Sequence, residues 1–242
     1  MNIIADLHTH TLASHHAYST VYENCLQAEK SGLSAIAVTD HAPGLSDAPG
    51  EFHFRNLGTI PRRVCGVTLI RGAELNIMDW RGSVDLKDGI LKRLEYVIAS
   101  FHENVIKPSN EEEHTRALLG ALDNPYIDCI GHPGTPAFGF SIREVLEKCL
   151  EKGKIVEINS HSPLVRKGSE KNCAEIARQC MKLGLSVAIG SDAHFMTGVG
   201  GFSPALELLE SVGFPEELVI NSSRERLRDF ILRRRGTDIF EQ

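Results

Sequence analysis

Residues 2–11 read NIIADLHTHT, an apolar run that ends in two histidines separated by a single residue. Side chains at positions i and i+2 of a β-strand point to the same face, about 7 Å apart. His8 and His10 can therefore converge on one point at the end of a buried strand. Such a pair can hold a metal ion, but two polar residues at a strand end can equally meet solvent. The rest of the chain has to decide between these interpretations.

Six further runs of the same kind predict a parallel sheet. They are short, rich in Ile and Val, and separated by segments with helix signals. Together with the first run they are NIIADLH, SAIAVTDH, VTLIRGAE, LEYVIASFH, IDCIGHPG, KIVEINSH and LSVAIGSDAH. Strands that alternate with helices indicate βα units, and the sequence shows no linker or internal repeat. The predicted fold class is therefore α/β, with a closed or nearly closed barrel as a single domain over residues 1–242.

Several segments between the strands carry signals for helix starts and turns. TVYE at 20–23 and SIRE at 141–144 have the form of a capping box, and Ser169 precedes the helical run 170–183. The segment NIMDWRGSVDL at 76–86 interrupts the alternation and predicts a small hairpin. The triplet Arg233-Arg234-Arg235 follows an amphipathic run and is expected to complement the C-terminus of a helix.

Composition narrows the possible classes of partner. The formal charge of −6 and the pI near 6.0 offer no basic footprint, so no nucleic-acid partner is expected. No segment has the roughly 18 unbroken apolar residues of a membrane span, and no secretory signal is read at the N-terminus. The six cysteines form no C-x-x-C pair and are expected to be buried, reduced thiols. The expected location is cytoplasmic, with no membrane partner.

Metal-capable side chains stand at the ends of all seven apolar runs, and Asn159 is the one strand-end residue that is not metal-capable. In chain order the strand-end residues are His8 and His10, His41, Glu74, His102, His132, Asn159 and His161, and Asp192 and His194. Seven of the eleven histidines occupy these positions. Parallel strands of a barrel deliver their C-terminal ends to one mouth, where such folds place their chemistry. The pattern therefore predicts a metal centre at that mouth.

The same segments resemble the signature motifs of the PHP (polymerase and histidinol phosphatase) superfamily, specifically its stand-alone YcdX-type phosphatase branch. The motifs are DLHTHT, HAYST, AVTDH, RGAE, ASFHE, GHPG, EINS, RKGSE and GSDAH, and the resemblance runs from residue 5 to about residue 235. It implies a distorted (β/α)7 barrel with a trinuclear metal centre, usually zinc. It also implies hydrolysis of phosphate monoesters by a metal-activated hydroxide.

The resemblance further implies which residues bind the metals. The first ion would take His8, His10, Glu74 and Asp192; the second His16, His41 and His194; the third His102, His132 and the other oxygen of a bridging Glu74. Glu74, His132 and Asp192 are the expected catalytic residues, with Asp192 a possible relay for the leaving-group proton. Since the family segment reads H-A-Y-S-T, His16 rather than His15 is the expected ligand.

Substrate contacts are expected from the loop after the sixth strand. Arg166 and Lys167 of RKGSE could reach a phosphate together with the following helix N-terminus, although solvated loop charges would look the same. Asn159 faces the mouth and could donate to substrate or to a ligand. Asp40 has the position of a carboxylate that orients an imidazole, and His114 is expected to be solvated on a charged helix.

Cofactor and function retain alternatives at this point. Three Zn²⁺ ions per chain suit a histidine-rich set, with Mn²⁺ or Fe possible at some positions. The main prediction is a phosphatase that acts on a small phosphorylated substrate. One alternative is a PHP-type nuclease or phosphodiesterase acting on nucleic acid, and another is a metal-buffering or scaffold protein without activity. The sequence identifies neither the substrate nor the oligomeric state.

Overall fold

Seven parallel strands form a nearly closed barrel, which confirms the predicted fold class. The structure, a computed structural model, describes residues 1–241. The strands are β1 (Ala5–Asp6), β2 (Ala35–Val38), β3 (Arg63–Val64), β4 (Val67–Asn76), β5 (Tyr96–Ser100), β6 (Cys129–Ile130), β7 (Ile155–Asn159) and β8 (Val187–Gly190). Their order around the barrel is β1-β2-β4-β5-β6-β7-β8, with parallel neighbours throughout. The short β3 pairs antiparallel with β4.

Helices surround the sheet and also close one end of it. They are α1 (Val21–Lys30), α2 (Glu51–Asn56), α3 (Asp88–Leu91), α4 (Glu111–Asp123), α5 (Ile142–Glu151), α6 (Ser162–Val165), α7 (Ser169–Leu183), α8 (Ser203–Ser211) and α9 (Arg224–Arg235). Helices α4, α5, α7 and α8 contact one another in series around the outside. Within residues 1–241, every helix is too short or too polar to cross a bilayer.

The two faces of the strands contribute to two separate apolar clusters. In β2, Ile36 and Val38 belong to the outer cluster beneath the helices, whereas Ala35 and Ala37 belong to the inner cluster. This division follows from the alternation of side chains along a strand. The small alanines on the inner face suit a narrow barrel whose interior is filled by side chains.

Helix α9 closes the N-terminal end of the barrel. Leu227, Phe230 and Ile231 belong to the inner apolar cluster. Arg234 and Arg235 both pair with Asp128, a fully buried carboxylate just before β6. The arginine triplet therefore does more than complement the helix C-terminus, because two of its members fasten α9 to the barrel.

A buried asparagine fills the seam between the first and last strands. The side chain of Asn221 donates to the carbonyls of Ala5 and Ile189, both at 2.8 Å, and accepts from the amide of Ile189 at 3.0 Å. Beyond the strand ends the chain pairs directly, through a parallel bridge between Thr9 and Ala193. The barrel is thus closed by backbone pairing near its mouth and by one side chain lower down.

The predicted capping boxes have opposite outcomes. Thr20 and Glu23 form the complete reciprocal box at the start of α1. Ser141 precedes α5, but its side chain makes no capping hydrogen bond, so this prediction is wrong. The amide of Ser141 instead donates to the hydroxyl of Thr115 on the neighbouring helix, at 2.8 Å. A tertiary contact therefore holds the chain at this helix start.

Two other local predictions, the helix start at Ser169 and the hairpin in 76–86, also had different outcomes. Ser169 is not a cap but the first residue of α7, because Gly168 occupies the N-cap position with a φ of 87°. That left-handed conformation is open to glycine at no steric cost. The hairpin in 76–86 is present: the amide of Met78 donates to the carbonyl of Ser83 at 2.8 Å, and Ile77 bridges Val84.

Candidate metal centre

Nine metal-capable side chains meet at the C-terminal mouth of the barrel. Glu74 lies within β4, and the others lie on segments that follow β1, β2, β5, β6 and β8. The set is His8, His10, His16, His41, Glu74, His102, His132, Asp192 and His194. Six of these side chains are buried, His102 and His194 are half-buried, and His16 is exposed. The structure thus brings together every residue that the sequence proposed as a ligand.

The carboxylate of Glu74 stands at the middle of the set, with its two oxygens facing different histidines. Its Oε2 lies 2.8 Å from Nδ1 of His41 and 3.3 Å from Nε2 of His8. Its Oε1 lies 2.9 Å from Nε2 of His132 and 3.4 Å from Nε2 of His102. A carboxylate arranged in this way can bridge two ions, one on each oxygen.

A tight group of ligand atoms forms on the β1 side of Glu74. Nε2 of His8 and Nε2 of His10 lie 3.1 Å apart. Oδ1 of Asp192 is 3.2 Å from Nε2 of His10 and 3.6 Å from Nε2 of His8. Two nitrogen ligands bound at about 2.0–2.1 Å to one tetrahedral zinc ion are about 3.3 Å apart, so these separations match a shared ion.

His16, His41 and His194 form a layer that lies nearer to solvent than His8 and His10. The ring of His16 lies 5.0 Å from that of His41 and 4.9 Å from that of His194, centroid to centroid. The ligand atoms of His10, His41 and His194 lie within 4.8 Å of one another. His16 is more exposed, and its Nδ1 is bonded to Asp47 at 2.6 Å, which leaves Nε2 as the atom that could bind an ion. The exposed His15 takes no part in this layer.

Several buried atoms of the centre have no hydrogen-bond partner, which is a test of whether the site suits a metal. These atoms are Nδ1 of His10, Nδ1 of His41, Oε2 of Glu74 and Nε2 of His102. Buried polar atoms are nearly always satisfied, because each orphaned group costs about 1–3 kcal/mol. Oε2 of Glu74, Nδ1 of His41 and Nε2 of His102 belong to side chains whose ligand atoms lie within 4.8 Å of one another. The residues therefore fit divalent cations.

The protonation states of the two carboxylates also suit cation binding. Burial opposes their ionisation, but the surrounding imidazoles, with His8 foremost, hold the pKa of Glu74 and of Asp192 well below the ordinary range. Both are therefore ionised at neutral pH. A carboxyl group with so low a pKa is suited to binding a cation and poorly suited to donating a proton.

The histidines differ among themselves in protonation. Burial, reinforced by the neighbouring His41, lowers the pKa of His10 to about 3. Burial and the charge of Arg166 lower the pKa of His132 to about 4. Burial opposes the charge on His8 too, yet the carboxylates around it, led by Glu157, raise the pKa of His8 well above its usual value. A divalent ion beside His8 would satisfy the same negative charges as that proton.

The structure places the three predicted substrate-contact residues differently. Arg166 is half-buried at the mouth, and both terminal nitrogens of its guanidinium lie 3.5 Å from Oδ2 of Asp192. Lys167 is exposed. Asn159 is buried and donates to Oδ2 of Asp192 at 3.2 Å, so it contacts a candidate ligand rather than the open pocket.

Two residues that contact candidate ligands were missed in the sequence. Glu157 accepts from Nδ1 of His8 at 2.8 Å, and Oδ1 of Asn76 accepts from Nδ1 of His102 at 2.7 Å. Both partners fix which ring nitrogen keeps its proton. The available signals were a lone acidic residue inside the apolar run IVEIN and an asparagine two positions after Glu74, on the same strand face.

Two secondary expectations need revision. His114 is buried rather than solvated: its Nδ1 donates to the carbonyl of Gly139 at 2.8 Å, and its Nε2 accepts from the amide of Ser109 at 2.8 Å. Asp40 does contact an imidazole, but that of His53 at 3.0 Å, which is not a candidate ligand. Asp40 also accepts from the amide and hydroxyl of Thr11, so it anchors the loop after β1.

The pocket above the centre has a mixed lining. Its polar residues are His16, His41, Asp47, His102, Glu103, Asn104, Thr135, Arg166 and His194. Leu45, Phe101 and Phe138 add apolar surface, and the rings of Phe101 and Phe138 stack at a centroid distance of 4.6 Å. The lining can hold a small anion that carries an organic group.

Comparison with known proteins relates this chain to a single family. The PHP domain matches residues 6–232. A protein of Acetivibrio thermocellus named a probable phosphatase is 46% identical over 97% of this chain and 98% of its own length. Another probable phosphatase, from Caldanaerobacter subterraneus subsp. tengcongensis, is 45% identical over 97% of this chain and 93% of its own length.

Solved structures share the fold at much lower sequence identity. Histidinol phosphate phosphatase from Lactococcus lactis, solved with zinc, L-histidinol and phosphate, is 18% identical and superimposes with a TM-score of 0.60. The alignment covers 89% of this chain and 95% of that one. A chain of archaeal ribonuclease P with mature tRNA gives a TM-score of 0.55 at 9% identity, covering 95% of this chain and 90% of that one. These two likenesses concern the fold.

Proposed function

This chain belongs to the PHP domain family and is a phosphatase like its curated relatives. On that premise we propose that it hydrolyses phosphate monoesters at a trinuclear zinc centre. The observation that carries the proposal is the carboxylate of Glu74, whose two oxygens each approach a different pair of histidines. Such a carboxylate, with orphaned ligand atoms on both sides of it, supports more than one ion at the mouth.

We divide the nine ligands among three ions. His8, His10, Asp192 and Oε2 of Glu74 would hold the first ion, and His16, His41 and His194 the second. The third ion would take His102, His132 and Oε1 of Glu74. In the structure Nδ1 of His16 is bonded to Asp47, so Nε2 would be the atom by which His16 holds the second ion.

The charge of the occupied centre indicates the class of substrate. Seven neutral histidines and two carboxylates contribute −2, and three divalent ions contribute +6, which leaves about +4 before water or substrate binds. A phosphate monoester dianion neutralises more of this charge than a diester with its single negative charge. The centre therefore favours monoesters over the backbone of a nucleic acid.

The chain's own residues would bind and orient the phosphate. The guanidinium of Arg166 lines the pocket beside Asp192 and can donate two parallel hydrogen bonds to phosphate oxygens. Zinc, when bound, would supply Lewis acidity that activates water and charge that stabilises the phosphoryl group. The low pKa of Asp192 assigns it to metal binding rather than to relaying the leaving-group proton.

Turnover of model esters tests the proposed reaction against the nuclease alternative. The zinc-loaded protein should hydrolyse p-nitrophenyl phosphate far faster than bis(p-nitrophenyl) phosphate or single-stranded DNA, and a chelator should abolish the activity. Preferential cleavage of the diester or of DNA would refute the monoester assignment. Absence of any hydrolysis by the zinc-loaded protein would favour a scaffold or metal buffer.

Elemental analysis of the purified protein tests the number and type of ions. We expect three zinc ions per chain, with manganese or iron as possible substitutes. Two ions or fewer, in protein dialysed against excess zinc, would contradict the trinuclear assignment.

The proposed setting is a single domain in the cytoplasm. All six cysteines are free, and five of them are buried, as expected of a protein kept in a reducing compartment.

A further inference from the structure

We propose that Glu157 is a positioning residue that couples two of the three ion positions, through the side chain of His8 and the backbone of His132. Glu157 lies in the middle of β7 and is almost completely buried. The proposal rests on the trinuclear centre proposed above, but it concerns how the chain holds the ions rather than the reaction.

The first contact sets the tautomer of a ligand. Oε1 of Glu157 lies 2.8 Å from Nδ1 of His8. With Nδ1 donating to this carboxylate, the neutral ring of His8 presents the lone pair of Nε2 to the ion position that it shares with His10. A carboxylate behind a histidine ligand also fixes the ring orientation and increases the basicity of the ligand nitrogen.

The second contact holds a strained backbone. Oε2 of Glu157 accepts from the amide of His132 at 2.8 Å. His132 has a φ of 29°, in the left-handed region that a residue with a Cβ rarely adopts. In this conformation the ring of His132 reaches Oε1 of Glu74, at 2.9 Å from Nε2. The same carboxylate therefore contacts candidate ligands that approach the two different oxygens of Glu74.

The surroundings of Glu157 leave room for this pair of contacts. A Cβ placed on Gly190 would lie 2.4 Å from Oε1 of Glu157 and 2.5 Å from Cβ of His8. Only a glycine at this point of β8 allows the two side chains to meet. Oε2 also accepts from Nδ2 of Asn159 at 3.2 Å, and the same nitrogen donates to Asp192.

The burial of Glu157 needs these partners. Removing a carboxylate from water is costly unless hydrogen bonds or opposite charges replace its hydration. Within residues 1–241, the hydrogen bonds of this carboxylate go to His8, His132 and Asn159. Two of these residues are candidate ligands, and the third donates to a further ligand. The contacts of Glu157 therefore lead to the metal centre rather than to the scaffold around it.

Zinc titration of Glu157→Gln tests the proposal without relying on turnover. An amide offers one accepting oxygen, so it cannot accept from both Nδ1 of His8 and the amide of His132. The full-length protein, first stripped of metal, is titrated with zinc against a chromophoric chelator to obtain the affinity of each site. We expect two of the three zinc affinities to fall about 10- to 100-fold and the third to keep its wild-type value.

A matched control separates this role from the loss of any buried acid. Glu95 is also buried but pairs with Arg62 and Arg71, away from the mouth. Glu95→Gln should leave all three zinc affinities unchanged. If Glu157→Gln does not fold, Glu157→Asp is titrated in its place, because its carboxylate is one methylene too short to make both contacts. The same two-site weakening is expected.

The outcomes distinguish this proposal from the proposed function. Three wild-type affinities in the variant, or a loss confined to one site, would overturn the coupling role of Glu157. Equal weakening of all three sites would also overturn it, because the second ion has no contact with Glu157. Failure of the wild type to bind three zinc ions would overturn both proposals, whereas zinc binding without phosphatase activity would refute only the reaction.

Discussion

Individual ligand atoms at the mouth lie close together, and some of them have no hydrogen-bond partner. Nδ1 of His41 and Oε2 of Glu74 are 2.8 Å apart, yet their orientation leaves both atoms without a hydrogen-bond partner. Nε2 of His8 and Nε2 of His10 face each other at 3.1 Å, a hydrogen bond that requires one of the two rings to carry its proton on Nε2. A cation shared by these ligand atoms would take the place of such contacts.

Replacement of His132 tests the third ion. His132→Asn keeps a residue that tolerates the left-handed backbone but removes the ring nitrogen near Glu74. We expect kcat for p-nitrophenyl phosphate to fall more than about 100-fold, which corresponds to about 2.7 kcal/mol of transition-state stabilisation. Zinc content should drop from three ions to two. The exposed His15 provides the control, because His15→Asn should change neither quantity. Full turnover in His132→Asn would show that this ion is not catalytic.

The adjacent residues Arg166 and Lys167 allow a test of phosphate binding. Arg166 lines the pocket and Lys167 is exposed beside it. Arg166→Ala should raise KM about 10- to 100-fold, because a hydrogen bond to a charged group contributes about 1.5–3 kcal/mol. Lys167→Ala should leave KM within about twofold of the wild type. The reverse ranking in steady-state kinetics would assign the phosphate contact to Lys167.

Secondary-structure elements hold the centre by delivering strand ends to one mouth. Because every strand except β4 has five residues or fewer, the register between neighbours and the closure of the seam decide how near the ligands lie. Asn221 replaces backbone pairing between β1 and β8, and α9 fills the opposite end of the barrel. These contacts stabilise the barrel from positions far along the chain from the first histidines.

Removing the seam side chain should destabilise the barrel. Asn221→Ala leaves the carbonyls of Ala5 and Ile189 and the amide of Ile189 without partners in a buried position. We expect the free energy of unfolding to fall by about 3 kcal/mol, since each buried unpaired group costs about 1–3 kcal/mol. Urea titration measures this change. A midpoint equal to that of the wild type would mean that water satisfies the seam.

The lysine before β7 predicts a pH dependence of stability. Burial, aided by the charge of Arg234, lowers the pKa of Lys154 from 10.5 to about 8. Between about pH 8 and 10.5 the unfolded chain therefore holds a proton that the folded chain has released, so this group makes stability rise with pH. Relative to Lys154→Met, the wild type should gain stability across this range. Parallel urea titrations would show it, and a constant difference between the two proteins would contradict the shifted pKa.

The whole molecule is acidic while its proposed centre is positive when occupied. The chain carries a formal charge of −6, and the nine ligands include two buried carboxylates. Metal ions would bind the ligands assembled at the folded mouth more tightly than the dispersed ligands of the unfolded chain. Their binding free energy therefore adds to the stability of the fold.

Metal removal should lower the melting temperature. A single ion held at 1,000 times its Kd contributes about 4 kcal/mol, which shifts the melting temperature of a chain of this size by about 8–16 °C. Differential scanning calorimetry with and without a strong chelator measures the shift, and added zinc should reverse it. An identical melting temperature in both conditions would argue against a bound ion that stabilises the mouth.

Much of the fold and of the candidate site could be predicted because both depend on short-range patterns. Runs such as SAIAVTDH report a buried strand and its polar end together, so one reading gives both the barrel and its candidate ligands. Glu157 and Asn76 escaped because their partners, His8 and His102, lie 149 and 26 positions away. The capping box predicted at Ser141 was wrong because the hydroxyl of Thr115, on another helix, accepts from the amide of Ser141.

The sequence alone determined the order of strands and helices, the strand-end histidines and the resemblance to one family, because these follow from local periodicity and motif spacing. Only the tertiary structure decided which donor atoms approach one another, that Asn159 contacts Asp192 and that Asn221 fills the seam. The physical reason is the distance along the chain over which each interaction acts. Periodicity reflects neighbours along one strand, whereas the distances between donor atoms depend on how distant strands pack around a common axis.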